Sequence, residues 1–346
     1  MARYLKQALI FTPIFLLLYG TNTYGLHALS LYENPLGQID SEQWVQESPI
    51  QFFIGFLINL LIKDTLITHW LVVLFGFIYL LMSAFYFDKK YFSGKEILKI
   101  LYFTPFFLVL FTWMGKPDTF TIGSLFFLIA FKDSKILHLV FTVILIFSHP
   151  QIAIIYFLLT KYLKIYHYKT NHYISIISGY ALYFSYFNQL SDFESRYGVI
   201  SNELDRVFKT IFTNTLGGLI SLFMWLWVLI FLSKLIKDRK FLISFLVIFF
   251  VSFFTIDHTR VFIQLAIPII VYAINQKKFI DTFDRLFDKK IMYILGVFQI
   301  QKRADGRLVD GINLYDLEFF SRATTFLISF IDKYVDVSSS LSSLIQ

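Results

Sequence analysis

The chain of 346 residues contains no cysteine, so disulfides, thiol nucleophiles and cysteine-held metals are all excluded. It also has no Asn-x-Ser/Thr sequon and no HExxH, GxSxG or Walker-type glycine loop, the last three being the marks of zinc hydrolases, serine hydrolases and ATPases. Charge is scarce. Charged residues make up 16% of the chain, against about 25% in a soluble domain, while hydrophobic residues reach 57% and mean hydropathy is +0.64. That balance implies an integral membrane protein. The net charge of +7 does not indicate nucleic acid, because the basic residues fall in short clusters between apolar segments, as orientation in a bilayer requires.

Arg3 and Lys6 precede an apolar run over 8–24, which places the N-terminus in the cytoplasm. No small-x-small cleavage site follows, so this run is read as a retained first helix. The next stretch, His27 to Pro49, carries four acids and neither Lys nor Arg, and belongs outside. Residues 50–63 are too short for a bilayer core that needs about 20 residues. They predict a helix lying in the outer interface or re-entering it, ahead of a span at 67–87. Further spans are predicted at 98–114, 118–131, 136–148, 151–163, 173–189, 214–233, 241–256 and 261–274.

This arrangement puts the basic clusters at 88–99, 132–135, 161–169, 234–240 and 275–278 inside, whereas letting 50–63 span would put almost all of them outside. The predicted fold is therefore all-α, a polytopic transmembrane helical bundle of about ten spans with an interfacial helix in the first outer loop. Residues 1–278 form the transmembrane domain and 279–346 a cytoplasmic amphipathic and polar tail, with surface-lying helices expected at 291–300 and 319–335. Spans of about 14 residues cover only about 21 Å of a core about 30 Å thick, so their outer ends are expected to sit below the membrane surface, around an outward cavity.

Four polar groups share the outer face under this topology. Asp40 and Glu42, in IDSEQW, can share a divalent cation with a phosphate, or one can act as base towards a hydroxyl; the plainer reading is a solvated acidic loop. Lys116 and Asp118 flank Pro117 where the chain turns back into the membrane. An ionisable residue at that depth costs about 2.5–3.5 kcal/mol and faces a cavity or a partner, so Lys116 either binds phosphate or simply pairs with Asp118. His149, in FSHPQ, stands at another outer turn as a base or as an interfacial hydrogen-bonding residue. Asp257, His258 and Arg260 lie together between two apolar runs. Arginine suits bidentate phosphate recognition, with Asp or His fixing its fork, and a structural Asp–Arg pair is the alternative.

With Asp40-Ser41-Glu42 in the first outer loop and a short apolar helix at 50–63 behind it, residues 1–275 resemble the GT-C superfamily of membrane glycosyltransferases. The resemblance implies transfer of a sugar from a polyprenyl-phosphate donor to a glycan or lipid acceptor at the periplasmic face of a bacterial inner membrane. It assigns Asp40 and Glu42 to catalysis, with a divalent cation as the one cofactor it admits. Lys116 and Arg260 would hold the donor phosphate, while Asp118, His149, Asp257 and His258 orient the acceptor or those cations. Competing readings are an O-antigen-type polysaccharide polymerase, a multi-span acyltransferase with His149 or His258 as base, and a non-enzymatic transporter or flippase of lipid-linked sugars.

Overall fold

A computed structural model describes residues 22–23, 26–39, 43–91, 97–102, 104–106, 109–110, 113–190, 222–253, 258–287, 301–304 and 307–310. The architecture is helical. Strand β1 (Asn22–Thr23) leads into 3-10 turns at Leu26–Tyr32 and Gln43–Glu47, then to helices α1 (Ile50–Ile62) and α2 (Thr65–Tyr91). Helix α3 (Ile97–Leu101) and strand β2 (Trp113–Met114) follow, β2 pairing in parallel with β1. Then come α4 (Asp118–Ala130), α5 (Lys135–Ser148), α6 (Pro150–Tyr162) and α7 (Thr170–Phe187). The last helices are α8 (Leu226–Leu232), α9 (Arg239–Phe253), α10 (His258–Ile274) and α11 (Lys277–Phe287).

The helices that build the core are short because the sequence punctuates them. His149 caps both α5 and α6: its N–H donates to the Leu145 carbonyl and its own carbonyl accepts from Ala153. Pro150 cannot continue α5 and is already set for the first position of α6. A single helix over 98–114 does not form. Helix α3 ends at Leu101, and Pro105, which has no N–H to donate, restarts a turn whose carbonyl accepts from Val109. Among the described residues, only α2 has the length and hydropathy to cross a membrane by itself; α10 and α11 meet that test only as a pair bent by 97°. The helical class is as expected, but of the predicted set of about ten spans the described residues show one, or two if the bent pair counts as a span. Of the predicted first helix at 8–24 only Asn22–Thr23 are described, and they form strand β1 rather than helix; the tail helices expected at 291–300 and 319–335 lie outside the described residues.

The bundle has two distinct ends. One carries Lys90, Lys132 and Lys169. There Lys90 sits 3.8 Å over the Phe131 ring, His172 Nε2 lies 2.7 Å from the Lys132 carbonyl, and Asn275 Nδ2 donates to Tyr91 Oη at 2.8 Å. The opposite end carries Ser48, Asp118, His149 and Arg260. A large apolar core with Phe87, Phe126, Tyr156, Phe223 and Phe262 fills the space between, and a smaller cluster of Tyr32, Ile39, Val45, Phe52, Val72 and Phe120 sits at the second end.

Helices α1 and α2 form an antiparallel hairpin around Lys63, which takes the left-handed conformation at φ 57, and Asp64, whose carboxylate accepts from the Leu66 and Ile67 N–H groups. Across the hairpin, Thr68 donates to Asn59. Gly76 of α2 packs so closely on Thr119 and Phe120 that a methyl group would not fit. The eleven steps from Thr65 to Gly76 rise about 16 Å, so the hairpin projects that far beyond the start of α4. Its faces there are apolar, with Leu57, Leu60, Leu61 and Ile67 exposed. At the other end of the bundle, Phe279 and Phe283 of α11 are buried in the main core, while Gln301–Ala304 and Arg307–Asp310 pair as an antiparallel ladder.

Candidate functional site

The centre of the second end is an ion pair. Arg260 donates from Nε to Asp118 Oδ2 at 2.6 Å and from Nη2 to Asp118 Oδ1 at 2.7 Å, and the residues are 8% and 2% exposed. This is the two-pronged geometry that only a guanidinium offers a carboxylate. Asp118 is the first residue of α4, where the helix dipole also favours a negative charge. Arg260 belongs to the first turn of α10. Two helix starts that are 142 residues apart are thereby locked together.

His149 completes the group from the α5–α6 junction. Its Nε2 lies 3.4 Å from Asp118 Oδ1 and 3.3 Å from Arg260 Nη2, so one ring nitrogen faces an acceptor and a donor at once. Protonated, it can donate to the carboxylate; unprotonated, it can accept from the guanidinium. The ring can therefore take or release a proton at Nε2 while keeping a partner. Its Nδ1 is 3.4 Å from Ser48 Oγ. Pro150 confines His149 to extended backbone, at φ -156 and ψ 91, which aims the ring at the neighbouring helix starts.

Ser48 brings in the loop that precedes α1. Tyr183 and Tyr186, near the end of α7, donate their hydroxyls to the Glu47 and Gln46 carbonyls, both at 3.1 Å. Residues 46–48 are buried, and the Gln46 amide donates to the Gly37 carbonyl at 2.8 Å. Ile39 and Val45, on either side of the IDSEQW acids, are buried in the cluster that contains Phe120, two residues from Asp118. Strand pairing joins the start of this loop to Trp113–Met114, directly before Gly115 and Lys116. Gly115 has φ 94, a conformation that favours glycine, and it makes the turn that delivers Lys116 and Pro117 to α4.

Beside the ion pair a narrow pocket is lined by Tyr32, Gln51, Val72, Phe77, Lys116 and Asp118 among others. Lys116 is 7% exposed. Tyr32 Oη lies 2.9 Å from His69 Nδ1, and burial holds the Tyr32 phenol well above the ordinary tyrosine range, so it stays neutral. Among the described residues no group of three or more acids and histidines is arranged to hold a metal ion.

Of the residues singled out by sequence, the structure brings together Asp118, His149 and Arg260, with Lys116 lining the adjoining pocket. Asp40, Glu42 and Asp257 lie outside the described residues; His258 opens α10, and its side chain also lies outside them. Ser48, Tyr183, Tyr186 and Tyr32 were not singled out. The one trace of them in the sequence is the i, i+3 spacing of Tyr183 and Tyr186, which puts both on one helix face. Comparison of the chain with family models, with curated proteins and with solved structures finds no match in any of the three.

Proposed function

We propose that the chain is an integral membrane glycosyltransferase, transferring a sugar from a polyprenyl-phosphate donor to an acceptor at the end of the bundle opposite the lysines. The observation that carries this reading is the buried Asp118–Arg260–His149 group, joined through Ser48 to the acidic first loop. Breaking a glycosyl phosphate develops negative charge on the leaving phosphate and positive charge at the sugar, so cations and carboxylates are needed side by side. Lys116 and Arg260 supply the cations. Asp40 and Glu42 supply the acids, Asp40 as base or metal-associated carboxylate, and His149 can move the acceptor proton at Nε2. In this reading the lysine end faces the cytoplasm. A hairpin tip at the outer surface then puts the ion pair about 16 Å deep, near the middle of a hydrocarbon core about 30 Å thick.

That depth favours one second reading, a transporter or flippase of lipid-linked sugars. In it the Asp118–Arg260 pair is a gate that opens when substrate replaces one partner.

The two readings separate in membranes carrying the parent chain, Asp40→Asn or Arg260→Lys, each given a panel of polyprenyl-phosphate sugars. Sugar transfer by the parent that falls at least a hundredfold in both variants, at unchanged protein level, is the result expected of the transferase. Movement of labelled lipid-linked sugar across the bilayer without transfer, insensitive to Asp40→Asn, would replace it with the transporter.

A further inference from the structure

One turn beyond Arg260 on α10, Gln264 has 0% exposure, and among the described residues neither its Oε1 nor its Nε2 has a hydrogen-bond partner. The carbonyl of residue 264 also lacks its usual helical donor, because residue 268 is Pro268, which has no N–H. That carbonyl points along the helix away from the side chain, so the buried point itself holds the amide's oxygen and its N–H groups, an acceptor and a donor together. A buried polar group without a partner costs about 1–3 kcal/mol, and such groups in native chains call for an explanation. Residues 262 to 267 are all at most 1% exposed, so α10 is enclosed on every side and bulk water does not satisfy this point.

Spacing places Gln264 on the same face of α10 as Arg260, about 6 Å further from the site end. That face is the one turned to Asp118 and His149. A cation would satisfy the amide oxygen and repel the amide N–H groups, and an anion would do the reverse. A hydroxyl both donates and accepts, and complements both. Pro268 adds the means of access, because helices bend where proline interrupts the ladder.

We propose that the Gln264 side-chain amide is a hydroxyl-binding position one turn beneath the Asp118–Arg260 pair. The hydroxyl is that of a water molecule or an alcohol group of the molecule held by Arg260, and only the second source rests on the function proposed above.

The chain has no cysteine, so a single introduced thiol gives a clean reading. In membranes, Gln264→Cys is treated with 2-hydroxyethyl methanethiosulfonate, a small neutral reagent bearing a hydroxyl, and compared with Leu265→Cys on an adjoining face. Modification at least tenfold faster at position 264 is expected. Protection by farnesyl phosphoryl glucose but not by farnesyl phosphate assigns the position to a substrate alcohol; fast modification that neither protects assigns it to water. Should the sugar-transfer reading fail, the water result still stands. Equal, slow modification at both positions rules out the substrate alcohol and leaves a sealed water, whereas a rise of several degrees in the melting temperature of Gln264→Met, which is what relief of a merely orphaned amide produces, would overturn the proposal.

Discussion

The two ends of the bundle each pair a carboxylate with a cation, and they do so in opposite surroundings. At the lysine end Lys169 Nζ lies 3.4 Å from Asp133 Oδ1, with the side chains 64% and 74% exposed. At the other end Asp118 and Arg260 are sealed, share two short hydrogen bonds and have His149 alongside. Water screens the first pair and holds each partner nearly as well alone. The second pair is shielded from water, so its partners rely on protein groups, each other foremost. The lesson is energetic: an exposed pair is nearly replaceable, whereas a buried charge group holds only while its partners stay in place.

The largest expected effect tests that contrast directly. Asp118→Asn should lower stability by about 3–5 kcal/mol, because it removes the carboxylate charge that Arg260 holds through two short hydrogen bonds, and thermal unfolding in detergent would show it. Asp118→Leu combined with Arg260→Met should recover most of that loss while abolishing the site's function, since two matched apolar groups remove both desolvation penalties. Full loss in the double variant would mean that the pair stabilises the fold in its own right.

A smaller effect is expected at the hairpin that stands over the site. Gly55 of α1 lies against the Tyr32 ring, leaving no room for a methyl group. Gly55→Ala should therefore cost about 1–3 kcal/mol by overpacking. It should also disturb the pocket that Tyr32 lines, seen as altered quenching of a probe there.

Smaller again is the loop anchor. Tyr183→Phe should remove about 0.5–1.5 kcal/mol with the hydrogen bond to Glu47. Protease sensitivity of the 26–48 loop would rise with it. At the bottom of the scale Lys169→Ala should change unfolding by less than about 1 kcal/mol, and still less at high salt. A larger loss would erase the difference between the two ends.

Much of the bundle was legible in the linear chain. The boundaries of α4, α5, α6 and α10 follow from Pro117, Pro150 and the charged breaks around them, because a residue without an N–H and a residue that needs water both end a buried helix. The grouping of Lys116, Asp118, His149 and Arg260 at one end followed from charge sidedness and helix alternation. The break in 98–114 was harder to see, since hydropathy there is continuous and only Pro105 interrupts it. Ser48, Gln264 and the tyrosine anchors carry no local signal, as serine, glutamine and tyrosine are ordinary in loops and helix faces alike.

By itself, the sequence determined an apolar chain with most of its lysines in short clusters between apolar runs and a few ionisable residues at the intervening turns. These are properties of composition and order, set by the cost of placing charge in hydrocarbon. Tertiary structure alone decided which of those residues meet. The bond from Arg260 to Asp118 spans 142 positions, and the approach of Ser48 to His149 spans 101. No local pattern encodes such distances. They arise when helix starts from different parts of the chain are packed at one level and their buried polar atoms must find partners there.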